Sequence, residues 1–134
     1  MADERERGIE FFGEVLGEAL APELRTHIGS EAFGSECAKW AADFAFGTVW
    51  TREGLDRKMR SCAVLGMLIA LRQTSEIRHH VRIALANGLS VREIEEILYL
   101  AVPYAGFPAA NTAKQEAISV LSEIEVERAP KQEG

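Results

Sequence analysis

The 134-residue sequence predicts an all-α protein of about six helices. Three observations carry that expectation. Apolar side chains recur at helical spacing along the chain, with no stretch of strand-like alternation. Helix start and stop signals separate the periodic stretches, as at Ser90 with Glu93 and at Asn87-Gly88. Apolar residues make up 47% and charged residues 27%, enough for a core without disulfide or metal staples. One domain is expected over residues 1–126, with a polar, disordered tail at 127–134.

The first helix carries Ile9, Phe12, Leu16 and Leu20 on one stripe and is interrupted at Ala21-Pro22. Gly29-Ser30 and Gly34-Ser35 punctuate a loop region. The next helix places Cys37, Trp40, Ala41 and Phe44 on one side and ends near Gly47. Thr51-Arg52-Glu53-Gly54 reads as a turn, and the helix after it is expected from Leu55 to about Arg72. Its second half, Cys62 to Leu71, is apolar all round, which suits a central helix and is too short to span a bilayer. A break at Gln73-Thr74-Ser75 leads to a helix from Glu76 to Ala86 with Ile77, Val81, Ala84 and Leu85 as its core stripe. Asn87-Gly88 stops it, since both residues tolerate the left-handed conformation. Ser90 opens the next helix, whose buried stripe is Val91, Ile94, Ile97, Leu98 and Ala101. Pro103 falls in its last turn and Gly106 ends it. Pro108 suits the first turn of a last helix that buries Ala109, Ala113, Ala117, Val120, Leu121 and Ile124. Several helices are apolar on more than one face, more than a chain this short can hide, so an obligate oligomer is expected.

Several function classes are set aside on composition. The start Met-Ala-Asp-Glu-Arg-Glu-Arg has no apolar leader, so a cytoplasmic location and no membrane partner are expected. Cys37 and Cys62 lie 25 residues apart, a spacing that builds neither a zinc knuckle nor a redox dithiol. Both sit at apolar helical positions and read as core residues. The net charge of −6 argues against a nucleic-acid partner. Between Arg52 and Arg82, however, seven basic residues meet three acidic ones. That basic segment suits a small anionic ligand, or equally a set of solvated helix faces and intersubunit ion pairs. His79 and His80 are adjacent and point about 100° apart on a helix, so they cannot share one metal ion. With no HExxH and no carboxylate–histidine repeat, no metal is expected, and neither a Gly-rich phosphate loop nor a GxSxG elbow is present.

The helix from Glu76 to Ala86 carries the most chemistry. Glu76, His80, Ala84 and Asn87 form a ridge beside its core stripe, so His80 borders the buried face with a carboxylate one turn before it. Such a histidine can be tuned for proton transfer, or can simply be a satisfied core histidine with a helix-stabilising ion pair.

The stretch Val49-Trp50-Thr51-Arg52-Glu53-Gly54-Leu55-Asp56 resembles the W-(S/T)-R-P-G-L-D signature of the carboxymuconolactone decarboxylase family. Arg60-Ser61 is similar to the opening of that family's central helix, and Glu76, His80 and Arg82 to its E-(L/F)-x-x-H-x-R. Asn87-Gly88 with Glu93-Ile94 is similar to N-G-x-(T/S)-x-x-E-I, and Tyr104-Ala105-Gly106-Phe107-Pro108-Ala109-Ala110-Asn111 to Y-x-G-x-P-A-A-N. Arg7-Gly8 and Val15-Leu16-Gly17 extend the resemblance, which runs from about residue 7 to 124. Each motif alone is weak; their order and spacing make the signal.

The resemblance implies an alkylhydroperoxidase D-like helical fold assembled as a homotrimer or hexamer. The hydroperoxidase branch of that fold carries CxxCxxxH, and counting back from His80 puts its two thiol positions at Gln73 and Glu76. Both thiols are absent, so a thiol peroxidase lacks its nucleophile. The decarboxylase branch implies a cofactor-free lyase acting on 4-carboxymuconolactone, or a related lactone acid, in aromatic-compound breakdown through 3-oxoadipate. On that branch His80 and Glu76 are the catalytic candidates. Arg60, Arg52, Arg82, Trp50 and Tyr104 are the candidates for holding the small anionic lactone. A non-catalytic, ligand-binding member of the same fold is the alternative. The sequence departs from the family pattern at Glu53, where proline is common. It departs also at Leu100, where Gln or His is usual, at Pro103 before Tyr104, and at Ala86, where a second Asn is common. Leu100 puts the substrate in question more than the scaffold.

Overall fold

The computed structural model describes residues 2–130. Its backbone gathers into two compact units, Met1–Arg60 and Ser61–Gly134. Among the described residues there are seven α-helices, one π-helical segment and no strand.

The first unit holds α1 (Ala2–Leu16), α2 (Leu20–Ile28), α3 (Ser35–Trp40) and the π-helical segment Ala41–Val49. Gly17, at φ 118°, stops α1 in the left-handed region. The break therefore falls at residues 17–19, ahead of Pro22. Pro22 lies in the first turn of α2, where its missing N–H costs no helical hydrogen bond. The buried face of α1 is Gly8, Ile9, Phe11, Gly13 and Val15, so the expected stripe through Phe12 and Leu20 is rotated by about one position. The reason is backbone contact. A methyl on Gly8 would overlap the Ala42 carbonyl oxygen, and one on Gly47 would overlap the Glu4 carbonyl oxygen. Small residues set which faces of α1 and the π segment meet; Phe46 packs at that crossing, and the other large apolar side chains of α3 and the π segment are left outside. Cys37, Trp40 and Phe44 are therefore exposed, opposite to expectation. Around the crossing, Phe11 stacks on Phe46 at 5.5 Å and meets the Trp50 ring at 5.4 Å. Arg57 lies 4.5 Å over the Phe11 ring and pairs with Glu14 at 2.6 Å. Arg5 forks onto Asp43 at 2.8 and 3.0 Å, which holds the Asp43 carboxyl below its usual range.

Helix α4 (Arg57–Ala70) starts two residues later than expected and crosses the boundary between the units. The second unit adds α5 (Thr74–Ala86), α6 (Val91–Ala105) and α7 (Phe107–Arg128). Its core joins Leu65 and Ile69 of α4 with Ile77, Val81 and Ala84 of α5, Leu89, Ile94 of α6, and Ala113, Ala117, Val120 and Ile124 of α7. The alanines of α7 let α5 and α6 pack closely against it. Cys62 is half-buried beside this core, so of the two thiols expected in the interior one is at its edge and the other outside. The capping box at α6 forms as expected: the Glu93 N–H donates to Ser90 Oγ, and the Ser90 N–H donates to Glu93 Oε1, each at 3.0 Å. At the end of α5 only Gly88 is left-handed, at φ 101°. Asn87 keeps φ −84°, and its amide donates to Ser61 Oγ at 3.0 Å. The last helix reaches past Glu127, where the tail was expected to start. Helix α7 continues through Arg128, because Arg82 of α5 holds Glu127 at 2.8 Å and Glu123 at 3.2 Å. Residues 131–134 of the expected tail lie outside the described residues.

Candidate functional site

Two features of the second unit bear on function. The first is the exposed-to-buried ridge of α5. His80 is half-buried, while Glu76 one turn earlier and His79 beside it are exposed. Burial holds the His80 imidazole below its ordinary 6.5, against the opposing pull of the Glu76 carboxylate and with a smaller push from His79. A neutral imidazole is therefore the resting form at neutral pH, with one nitrogen carrying a proton and the other a lone pair. Ile83, one turn further on, is also buried, so α5 hides two faces where the period had shown one.

The second feature is a groove of about 420 Å³ between α4 and α6. Cys62, Ala63, Gly66 and Ala70 form one side; Ile97, Leu100, Ala101, Tyr104 and Ala105 form the other. Its lining holds no charged side chain; the polar tips are the Cys62 thiol and the Tyr104 hydroxyl. Tyr104 was expected at a site, and Leu100 was visible as a departure at that level. Cys62 and the small residues of α4 carry no sequence signal that separates a groove wall from a core.

The remaining candidates are placed as follows. Trp50 is buried against Phe11 in the first unit. Arg60 donates to the carbonyl oxygens of Leu55 and Arg52, both at 3.0 Å, and so stiffens the turn that carries Arg52. Arg52 itself is exposed. Arg82 is taken up by Glu123 and Glu127, with Arg78 alongside on Glu116, Ser119 and Glu123. The basic segment noted in the sequence is thus partly spent on binding α5 to α7. Among the described residues, no three potential metal ligands cluster and no helix is long and apolar enough to cross a membrane.

A profile of the carboxymuconolactone decarboxylase family matches residues 35–118. The chain is 33% identical over 126 residues to 4-carboxymuconolactone decarboxylase of Acinetobacter baylyi, covering 92% of each protein. It is 37% identical over 109 residues to nitrosuccinic acid decarboxylase npaB of Metarhizium robertsii, covering 81% of this chain and 74% of that one. An uncharacterized 15.0 kDa protein of Paracoccus denitrificans is 32% identical over 120 residues, 86% of this chain and 89% of its own. The helical fold and these matches define an alkylhydroperoxidase D-like protein. The chain belongs to the carboxymuconolactone decarboxylase family.

Proposed function

We propose that this protein is a cofactor-free decarboxylase of 4-carboxymuconolactone or a related lactone acid, working as a cytoplasmic homo-oligomer in aromatic-compound breakdown. The observation that carries the proposal is the similarity to a 4-carboxymuconolactone decarboxylase over 92% of both chains. The chemistry fits a protein without an electron sink of its own. The bond from the ring to the departing carboxylate breaks, its electron pair moves into the conjugated lactone, carbon dioxide leaves, and a carbon of the lactone takes up one proton. Nitrosuccinic acid has the same feature in another form, since a nitro group also accepts the electron pair. The protein's task is to hold carboxylates, favour charge on the acceptor oxygen and deliver the proton.

His80 is assigned the acceptor oxygen. A half-buried, neutral imidazole donates a hydrogen bond there without first losing the solvation of a cation. Glu76 tunes it. Arg52, Arg60 and Arg82 are the candidates for the carboxylates, and of these Arg52 fits best, because the guanidinium groups of the other two already have protein partners. Trp50 and Tyr104 complete the proposed set, with Tyr104 in the groove. The test is incubation of the purified protein with 4-carboxymuconolactone and, separately, nitrosuccinic acid, following loss of substrate and release of carbon dioxide. Turnover of the lactone establishes the reading. Turnover of nitrosuccinic acid alone would move the substrate, in keeping with Leu100 in the groove. No turnover of either, with binding retained, would leave the non-catalytic alternative.

A further inference from the structure

We propose that Arg60 is a positioning residue for Arg52: it holds the turn that presents Arg52 to a carboxylate of the acid, and does not itself touch the acid. The inference rests on the decarboxylase reading above. Both residues belong to the first unit. Arg60 Nε donates to the Leu55 carbonyl oxygen and Arg60 Nη2 to the Arg52 carbonyl oxygen, both at 3.0 Å. One planar guanidinium thus closes a loop whose two ends are Arg52 and Leu55. Between them lies Gly54 at φ 142°, a residue with no side chain to hold the turn by itself. The other side of Arg52 is held as well. Its N–H donates to the Val49 carbonyl oxygen at 3.3 Å, and the Thr51 hydroxyl donates to that of Gly47 at 2.8 Å. Trp50, buried against Phe11, anchors the entry to the turn. Asp56 anchors the exit: its carboxylate accepts the Met59 N–H at 2.8 Å and its carbonyl the Arg60 N–H at 3.0 Å.

The side chain that this frame carries is open to a ligand. Arg52 is exposed and, among the described residues, makes no ion pair, whereas Arg57 and Arg82 have carboxylates at 2.6 and 2.8 Å. An incoming carboxylate therefore displaces no protein carboxylate from Arg52. The backbone beneath it is fixed before binding, so less freedom is lost when the guanidinium fork closes on the acid. Arg60 is the reverse case. Two of its N–H groups point at carbonyl oxygens, and substrate contact through them would release the turn. A pair of carbonyl oxygens suits a donor fork. A lysine ammonium at position 60 would offer a single nitrogen and could not keep both bonds in one plane.

The first measurement needs no substrate. In the full chain with Arg60→Gln, backbone hydrogen exchange over residues 49–56 should speed up by about tenfold or more, as loss of bonds from a charged donor implies. Peptides of α1 should exchange as before, which shows the unit still folded. Arg60→Lys should fall between, and it carries the comparison if Arg60→Gln loosens α1 too. The second measurement is turnover of 4-carboxymuconolactone. Arg60→Gln should raise KM by about tenfold and leave kcat within a few-fold. Arg52→Gln should raise KM at least as much. Adding Arg60→Gln to it should change KM little further, since the effect of Arg60 runs through Arg52. Unchanged exchange over residues 49–56 would overturn the clamp, whatever the turnover. KM losses that multiply in the double variant would make Arg60 a direct contact and overturn the positioning role. A wild-type chain that turns over neither this lactone nor nitrosuccinic acid would sink the decarboxylase reading, and the carboxylate at Arg52 with it. Exchange would still show whether Arg60 holds the turn.

Discussion

At His80 two influences oppose each other, and burial outweighs the nearby Glu76 carboxylate. The sign of the consequence for stability follows. The folded protein holds fewer protons at this position than the unfolded chain, so the stabilising contribution is present above the ordinary pKa of 6.5 and is lost as pH falls through the lowered value. Denaturant melts should show stability declining below pH 6.5, and His80→Asn should flatten that part of the curve. An equally steep curve in the variant would place the titrating group elsewhere. For catalysis, His80→Ala should lower turnover by about 100- to 10,000-fold, with a smaller change in the Michaelis constant, while His79→Ala stays mild because its side chain is exposed. Glu76→Gln removes the pull that raises the His80 pKa, so the acid limb of the pH–rate profile should move to lower pH. Near-full turnover in a folded His80→Ala protein would refute the assignment. The ridge that holds Glu76 and His80 was legible from spacing alone. The ends of the long side chains were not: helical period says that Arg82 lies one turn past His79, and says nothing of the Glu123 and Glu127 carboxylates brought up by a distant helix. Arg72 illustrates the same limit. It stands at φ 59° in the α4–α5 turn, where a side chain costs about 1–2 kcal/mol. Arg72→Gly should therefore raise the melting temperature by a few degrees, and a lower one would mean that the arginine side chain compensates for its backbone.

Among the elements, those whose ends are chemically marked were legible and those whose contacts are set by small residues were not. Ser90 with Glu93, Gly106 and Pro108 fixed the bounds of α6 and α7 because capping chemistry is local. The alanine face of α7 followed from its period. The π segment is the opposite case. Large apolar residues at Trp40 and Phe44 outweigh Ala42 and Gly47 in any periodicity argument, yet the structure packs the small residues and exposes the large ones. The decisive interaction is steric and lies in the absence of Cβ atoms, to which hydropathy is blind. Gly8 and Gly47 therefore bear a testable share of the fold. Gly8→Ala or Gly47→Ala puts a methyl onto a carbonyl oxygen of the facing element, and overpacking of this kind typically costs about 1–3 kcal/mol. Either substitution should lower the midpoint of chemical unfolding. Gly66→Ala is the control, since a methyl there meets nothing within 4 Å and the helix gains propensity. If all three behave alike, the crossing of α1 and the π segment is not held by backbone contact.

For the whole molecule, the proposed reaction makes a demand that separates this chain from other members of its fold. A substrate carrying its own electron acceptor leaves no task for a metal, a flavin or a thiol pair, and the positions where a CxxCxxxH motif would place thiols are Gln73 and Glu76. Turnover should accordingly survive exhaustive dialysis against a chelator and be indifferent to added reductant or peroxide. Cys62→Ala should retain kcat within a few-fold, in line with a thiol that does no chemistry; any change is expected in KM, since Cys62 lines the groove with Leu100 and Tyr104. Leu100→Gln introduces a polar group into a lining that has no charge, and it should shift preference between the lactone and nitrosuccinic acid, read as the ratio of their kcat/KM values. The two arms answer different questions. Loss of turnover on chelation would overturn the cofactor-free mechanism whatever the substrate is, because the electron pair would then need a metal to stabilise it. An unchanged ratio in Leu100→Gln would leave the mechanism standing and remove the groove from the substrate's path, so that the residues selecting the acid would have to be sought around His80 instead.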